Sequence, residues 1–382
     1  MHEHKQNQCK RKVKHRKNVM GLIIFCITVG IAFMFIYYQN LRKEIYARQK
    51  WLETVLTGEK KWILENQGPE GEIYMNGSKA GDVNPYFACI AALGLLAETK
   101  NCPMTETEKK AVGRYLDWHT GILLETDGKM GIYRKESGKL IYKEKADSED
   151  GYLGMYFFLM GKYLEKTEST DLPEYWKKGI SLALKKIQSL MQDGITQVSE
   201  ENTTVYLMDN LEVWKGLYEL EHSGLKDVQA ISEMRKKLQE QIEKIFWDDA
   251  NQSWRIIGNS DLYDQTEFYP DGVAQIYPLI YEFPVKEKKK QKLLYDQFTE
   301  KFQWQKLNKK RNGFLWAMTG MAAAQMGDIN NLVELIGNYE TEYCENRKYP
   351  LYTGEAGWIC MECDKLYRLY ERKIKTGFIL CA

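Results

Sequence analysis

The chain has 382 residues, with 54 Lys and Arg against 53 Asp and Glu, a formal net charge of +1 at pH 7. That balance excludes a general polyanion binder, and a 44% hydrophobic fraction, with 13% aromatic residues, is ample for a packed core. The eight cysteines and five histidines show no disulfide framework, Ser-His-Asp set, HExxH helix or Cys-His pair in their spacing, and no phosphate loop is present, which argues against proteases, metalloenzymes and nucleotide enzymes.

Residues 1–18 carry Lys5, Lys10, Arg11, Lys12, Lys14, Arg16 and Lys17 against Glu3 alone. The next twenty, Val19 to Tyr38, hold no charge and are long enough to cross a hydrocarbon core of roughly 30 Å as a helix. Phe35, Ile36, Tyr37, Tyr38 and Gln39 close the run where a cleavable signal peptide would place small residues, so a retained transmembrane anchor over 19–38 is expected. The basic tail then stays in the cytoplasm and the large domain lies outside, a position that explains the tail better than a nucleic-acid arm does. Seven of the 54 basic and one of the 53 acidic residues lie in the tail, so the body is acidic by five and no nucleic-acid partner is expected.

From residue 44 to 373 two kinds of helical segment alternate, about six times each. Glu44 to Gln67, Thr105 to Leu124, Trp176 to Met191, Ile231 to Ile245, Glu287 to Phe302 and Asn330 to Glu342 are apolar on one side only. In the fourth of these, Ile231, Met234, Leu238, Ile242 and Ile245 recur every three or four residues. Between them stand Tyr86 to Leu96 (YFACIAALGLL), Tyr152 to Met160 (YLGMYFFLM), Leu211 to Leu220, Val273 to Tyr281, Phe314 to Met326 and Trp358 to Tyr370, apolar nearly all round. A helix apolar on every side is enclosed by protein, whereas an amphipathic one lies between that interior and water. Strict alternation therefore predicts an all-α fold, an (α/α)6 toroid of six hairpins filling residues 44–373 as one domain. Met130 to Tyr142, with Ser137-Gly138 at its turn, is the one alternating stretch and predicts a small hairpin. Cys360 and Cys363 form a CxxC inside an apolar helix with no second ligand pair, so packing is expected there and no metal or cofactor.

Each apolar helix is headed by carboxylates, amides and aromatic rings: Asp82-Val83-Asn84-Pro85-Tyr86, Asp147-Ser148-Glu149-Asp150-Gly151-Tyr152, Tyr206-Leu207-Met208-Asp209-Asn210, Tyr269-Pro270-Asp271-Gly272, Arg311-Asn312-Gly313-Phe314-Leu315-Trp316 and Glu355-Ala356-Gly357-Trp358. Asp and Asn are preferred N-caps, but capping does not call for Tyr or Trp within a turn of each carboxylate. Inner helices of a toroid run parallel, so all six heads should meet at one mouth. Acidic groups interleaved with rings suit a sugar chain, since ring faces stack on pyranoses and carboxylates take hydroxyls. Paired carboxylates are also the reagents of glycoside hydrolysis.

In these stretches the chain resembles the six-hairpin glycosidase superfamily, and within it the family-8 glycoside hydrolases. Their Ala-Thr-Asp-Ala/Gly-Asp run opening an inner helix is similar to Ala146-Asp147-Ser148-Glu149-Asp150, where Asp150 matches the second aspartate and Ser148 replaces the first. The family's acid is a Glu four residues before a Tyr at the second helix; here Asp82 stands four before Tyr86. The resemblance implies an inverting enzyme with Asp82 as acid and Asp150 holding the sugar. From the residues alone, Glu72 in the loop Glu70-Gly71-Glu72 is a second choice for the acid, and Asp209, followed by a largely apolar helix, is preferred to Asp271 for the base. Asp147, Asn210 and Glu355 are expected to bind hydroxyls, and Tyr86, Tyr152, Trp316 and Trp358 to stack on rings. The expected partner is a polysaccharide or oligosaccharide. A non-catalytic glycan-binding or polysaccharide-assembly protein on the same fold is the alternative, with a lyase or cyclase of toroid shape behind it. Oligomeric state is not indicated.

Overall fold

A computed structural model describes residues 2–381 except 78–80, 137–138, 170–171, 227, 259–265 and 308–312, with side chains left out at 2–19, 21, 22, 24 and 376–381. Asn312, the Ser137-Gly138 turn and most of the basic tail therefore lie outside the described residues or side chains. The described chain holds twelve α-helices: α1 His2–Glu65, α2 Pro85–Leu95, α3 Glu106–Glu125, α4 Glu149–Thr167, α5 Glu174–Leu190, α6 Leu207–Glu221, α7 Gln229–Phe246, α8 Val273–Ile280, α9 Lys288–Phe302, α10 Thr319–Met326, α11 Ile329–Tyr339 and α12 Thr353–Cys381. Two compact units divide it, one of residues 1–51 with 367–382, the other of residues 52–366.

Within the unit 52–366 the alternation read from the sequence becomes two layers. The even-numbered helices pack in a closed sequence, α2 on α4, α4 on α6, α6 on α8 and α8 on α10. Small residues set the closest approaches: a Cβ on Gly216 would lie 2.2 Å from the Gly154 carbonyl oxygen, joining α6 to α4, and one on Gly357 would lie 2.2 Å from the Ile90 carbonyl oxygen, joining α12 to α2. Neither contact admits any side chain, so these helices meet backbone to backbone. The odd-numbered helices lie outside. On α7 the buried residues are Ile231, Leu238, Ile242 and Phe246, one stripe at helical spacing. Outer helices also carry the clearest stop and start signals; Thr105 and Glu108 form a reciprocal capping box at α3.

At the end of the ring away from the helix starts, α4, α6, α8 and α12 are tied by ion pairs. Lys215 bonds Glu219 at 2.8 Å and Glu282 at 2.9 Å, Lys162 bonds Glu219 at 3.1 Å, and Lys365 bonds Glu282. Lys215 and Glu219 are each 4% exposed, so the centre of this network is internal, while Lys162, Glu282 and Lys365 reach toward solvent.

Several boundaries differ from the sequence reading. Residues 19–38 and 44–65 belong to one continuous helix, α1, because nothing between them breaks helical backbone. Among the described residues no helix is long and apolar enough to cross a membrane. The hairpin forms as β2 Gly131–Glu136 and β3 Lys139–Lys145, and gains an unexpected third strand, β1 Asp82–Val83, that pairs antiparallel with β2. Two short ladders were also not foreseen, β4 Met191–Gln192 with β5 Ile195–Thr196 and β6 Trp247–Asp248 with β7 Ser253–Trp254. Helix α6 starts at Leu207, before rather than after Asp209, and α10 starts at Thr319, leaving residues 314–318 outside the helix.

Candidate functional site

The starts of all six even-numbered helices line one cavity of about 680 Å3. α2 contributes Asn84, Tyr86 and Phe87, α4 contributes Asp147, Ser148 and Tyr152, and α6 contributes Asp209 and Glu212. Tyr269 and Tyr277 come from α8 and the turn before it, Phe314, Trp316 and Met318 from the approach to α10, and Tyr352, Glu355 and Trp358 from α12. The common mouth expected from parallel inner helices is therefore present.

The cavity has an acidic side on α4 and α6. Asp209, in the first turn of α6, stands one helical turn before Glu212, so both carboxylates share a face. Glu212 is 3% exposed and its Oε1 accepts hydrogen bonds from the hydroxyls of Tyr86 at 2.5 Å, Tyr277 at 2.6 Å and Tyr281 at 3.3 Å. Burial pushes the Glu212 carboxyl up to about 7 against the lowering effect of these phenols. Asp209 is raised well above the usual carboxylate range by burial, then by the neighbouring Asp150 and Glu212. Gly151 makes room for both: a Cβ there would lie 2.6 Å from Glu212 Oε2 and 3.7 Å from Asp209 Oδ1.

Aromatic rings make up much of the remaining lining. Tyr269 and Trp316 have centroids 4.7 Å apart, Phe314 and Phe87 stack at 5.6 Å and 17°, and Tyr352 packs against both of these phenylalanines. Tyr86 and Tyr152 approach to 5.7 Å.

Of the residues singled out from sequence, Asp82, Asp147, Asp209, Tyr86, Tyr152, Trp316, Glu355 and Trp358 line this cavity. Four do not. Glu72 is 1% exposed and is held by the Tyr74 hydroxyl at 2.8 Å and the Glu70 amide at 3.0 Å. Asp271 is turned back on its own helix start, its Oδ2 accepting the Glu267 N–H at 3.3 Å. Asp150 lies beneath the first turn of α4, its oxygens taking the Ser148 hydroxyl at 2.8 Å, the Gly151 N–H at 3.0 Å and the Thr196 hydroxyl at 2.7 Å. Burial raises it to about 6, but with 1% exposure it cannot hold a sugar. Asn210 is saturated by the backbone of Thr196 and Tyr206 and braces β5 against α6.

Asp82 is in the cavity but not as an acid. The β1–β2 register sets it beside Arg134, whose Nε donates at 2.6 Å, and Lys143 Nζ adds a bond at 2.8 Å. The Arg134 guanidinium first, then Lys143, holds its carboxyl below the ordinary value, so it stays ionised. Glu355 also departs from its expected role: its carboxylate accepts the backbone N–H groups of Leu315, Trp316 and Ala317 at 3.1, 3.1 and 2.9 Å. Glu212, Asn84, Tyr269, Tyr277, Phe314 and Tyr352 were not selected from sequence. A usable signal existed for Glu212, an acidic residue three after Asp209 inside the inner helix LEVWKGLYEL.

No family model and no curated protein matches the chain. Solved structures do match. A structure described as a wild-type glycosidase superposes with a TM-score of 0.61 at 12% identity, covering 85% of this chain and 98% of its own. An α-amylase from Clostridium perfringens matches at 0.51 and 13% identity over 82% of this chain and 97% of its own. A family-76 α-mannanase of Bacteroides thetaiotaomicron matches at 0.50 and 10% identity over 86% and 97%. The chain thus shares the helical-hairpin fold of these structures; they are of several kinds, so the likeness does not extend to the family-8 pattern in particular.

Proposed function

We propose that this chain is a membrane-anchored, outward-facing glycoside hydrolase acting on a polysaccharide or oligosaccharide, with Asp209 as proton donor and Glu212 as its ionised partner. The observation that carries the reading is the convergence of six helix starts on one cavity, lined by Asp147, Asp209 and Glu212 together with aromatic rings. Glu212 gains three phenol donors that stabilise its anion, whereas Asp209 is surrounded by other carboxylates that disfavour its charge. The two environments separate the roles. Asp209 gives its proton to the glycosidic oxygen as that bond breaks, and Glu212 Oε2 meets the anomeric carbon.

A Cβ on Gly151 would lie 2.6 Å from Glu212 Oε2 and 3.7 Å from Asp209 Oδ1, so these oxygens are at most about 6.3 Å apart, short of the roughly 6.5 to 9.5 Å that leaves room for a water between an inverting pair. The pair therefore suits retention: water then cleaves the glycosyl–Glu212 ester while ionised Asp209 takes its proton. This replaces the inverting scheme implied by the family-8 resemblance. The anchor reading rests on the helix before residue 39, where Ile23, Phe25, Ile27, Ile31, Phe33 and Phe35 expose between 52% and 69% of their surface.

The test is to incubate the detergent-solubilised full chain with starch, α-mannan, mixed-linkage β-glucan, chitosan and the exopolysaccharide of its own cells, and to measure new reducing ends. Asp209→Asn and Glu212→Gln should each abolish them, and the first-formed anomer should match the substrate. Glycan binding without new reducing ends would sink hydrolysis and leave the non-catalytic alternative. Protease access to the body in intact cells tests the anchor.

A further inference from the structure

The approach to α10 carries an unusual feature: Trp316 has φ of 59°, in the left-handed region that side chains with a bulky Cβ substituent rarely occupy. Such a conformation persists only where its surroundings over-determine it. Here one side chain takes three successive N–H groups of the segment. Glu355, 4% exposed, reaches from the first turn of α12 to those of Leu315, Trp316 and Ala317. The Thr319 hydroxyl then ties down the Trp316 carbonyl at 2.8 Å. With its amides drawn to one point, the segment cannot join α10, which explains why the helix starts five residues later than its apolar pattern.

The outcome is a ring placed in the cavity. Trp316 lies against Tyr269 at 4.7 Å and is braced from behind by Phe268 at 5.5 Å and Phe314 at 5.8 Å. Tyr269 is 40% exposed, so the pair presents aromatic surface to whatever fills the cavity. We propose that Tyr269 and Trp316 form a stacking subsite for a pyranose ring of the glycan, and that Glu355 is a positioning residue that builds this subsite by fixing the 315–317 backbone. This rests on the glycan reading of the cavity but assigns Glu355 no contact with sugar and no part in bond cleavage. Gln at 355 is nearly isosteric yet replaces one acceptor oxygen by an NH2 donor aimed at N–H donors.

The experiment has two arms on the full chain. In the first, amide hydrogen exchange at 315–317 is compared between wild type and Glu355→Gln; protection lost in the variant supports the clamp, and equal exchange overturns it. In the second, Glu355→Gln, Trp316→Ala and the double variant are assayed on whichever of starch, α-mannan, β-glucan and chitosan the wild type cleaves. Either single change should raise KM about tenfold with kcat nearly unchanged, and the double variant should be no worse than Trp316→Ala alone. Effects that multiply, or a loss confined to kcat, overturn the assignment. Failure of these four glycans and of the exopolysaccharide of its own cells to bind wild type would defeat the glycan reading and with it the sugar subsite, while the exchange arm separately decides the clamp. Should Glu355→Gln not fold, Glu355→Asp, which keeps the charge and shortens its reach, replaces it in both arms with the same outcomes.

Discussion

The Tyr277 hydroxyl donates to Glu212 Oε1 at 2.6 Å, and the same oxygen takes the Tyr86 hydroxyl at 2.5 Å from the opposite side of the ring. All donors to this carboxylate are phenols whose own ionisation burial pushes far up, so they remain donors at any working pH. Since each bond favours the anion, removing one should raise the Glu212 value above about 7. A reaction that needs ionised Glu212 has an acidic limb near that pH. Tyr277→Phe should move this limb to higher pH by about one unit, because a hydrogen bond to a charged group contributes roughly 1.5 to 3 kcal/mol. A pH profile of kcat/KM measures it, and an unmoved limb would show that Glu212 is not the titrating group.

Gly151 offers a way to separate stability from activity. Inside a helix, Gly→Ala is ordinarily favourable by up to about 1 kcal/mol. Here the new methyl would lie 2.6 Å from Glu212 Oε2 and 2.9 Å from Ser148 Oγ, too close for either to stay. Because three phenols hold the other oxygen of Glu212, the displacement falls on the oxygen proposed to react. Gly151→Ala should fold with little change in Tm yet lose at least about tenfold in kcat, as expected when a reacting group is misplaced. Wild-type turnover in this variant would argue against Glu212 Oε2.

Much of this was legible in the sequence, and the losses have identifiable causes. The twelve-helix alternation and the common mouth follow from apolar patterning, which reports burial directly. Asp82 was misread because its partner Arg134 is brought in by β-pairing across fifty residues, a contact no local pattern encodes. Asp150 and Asn210 sit at helix starts like the true lining groups, and only tertiary packing turns them to Thr196 instead of the cavity. Glu355 looked like a sugar ligand for the same reason; its work for the 315–317 backbone appears only once α12 lies beside that segment. Glu212 was hidden by the assumption that functional carboxylates precede helices, whereas it lies in the second turn of α6.

Lys215 joins Glu219 and Glu282 inside the ring, with both partners depending on it. Burial alone would raise Glu282, yet Lys215 and Lys365 outweigh it and hold the carboxyl at about 2. Replacing Lys215 by Met strands acidic groups in a poorly hydrated place, at a cost of about 3 to 5 kcal/mol. Lys365, 40% exposed at its side chain, should cost much less when replaced in the same way. Urea denaturation of the two variants measures the difference, and equal losses would mean that the network is not internal in solution.

The buried carboxyls also fix how stability depends on pH. Asp150 at about 6, Glu212 at about 7 and Glu355 at about 7 are all raised, chiefly by burial. Each binds its proton more tightly in the folded chain, so its contribution is complete below the unfolded carboxylate value and is lost as pH rises toward 7. Glu282 runs the other way: its depressed value contributes stability above the unfolded carboxylate range that disappears as pH falls toward 2. Stability should therefore peak at about pH 4, where these windows meet at the unfolded carboxylate value, and decline toward pH 8. Glu362 strengthens the decline, being 0% exposed, raised well above the ordinary value by burial, and without a hydrogen-bond partner on either oxygen among the described residues. Glu362→Met removes an unsatisfied group while keeping its volume, and should stabilise the chain by about 1 to 3 kcal/mol at pH 8 and by less at pH 5. Denaturation midpoints of wild type and variant at the two pH values decide this, and a variant less stable at pH 8 would mean that Glu362 has a partner in solution.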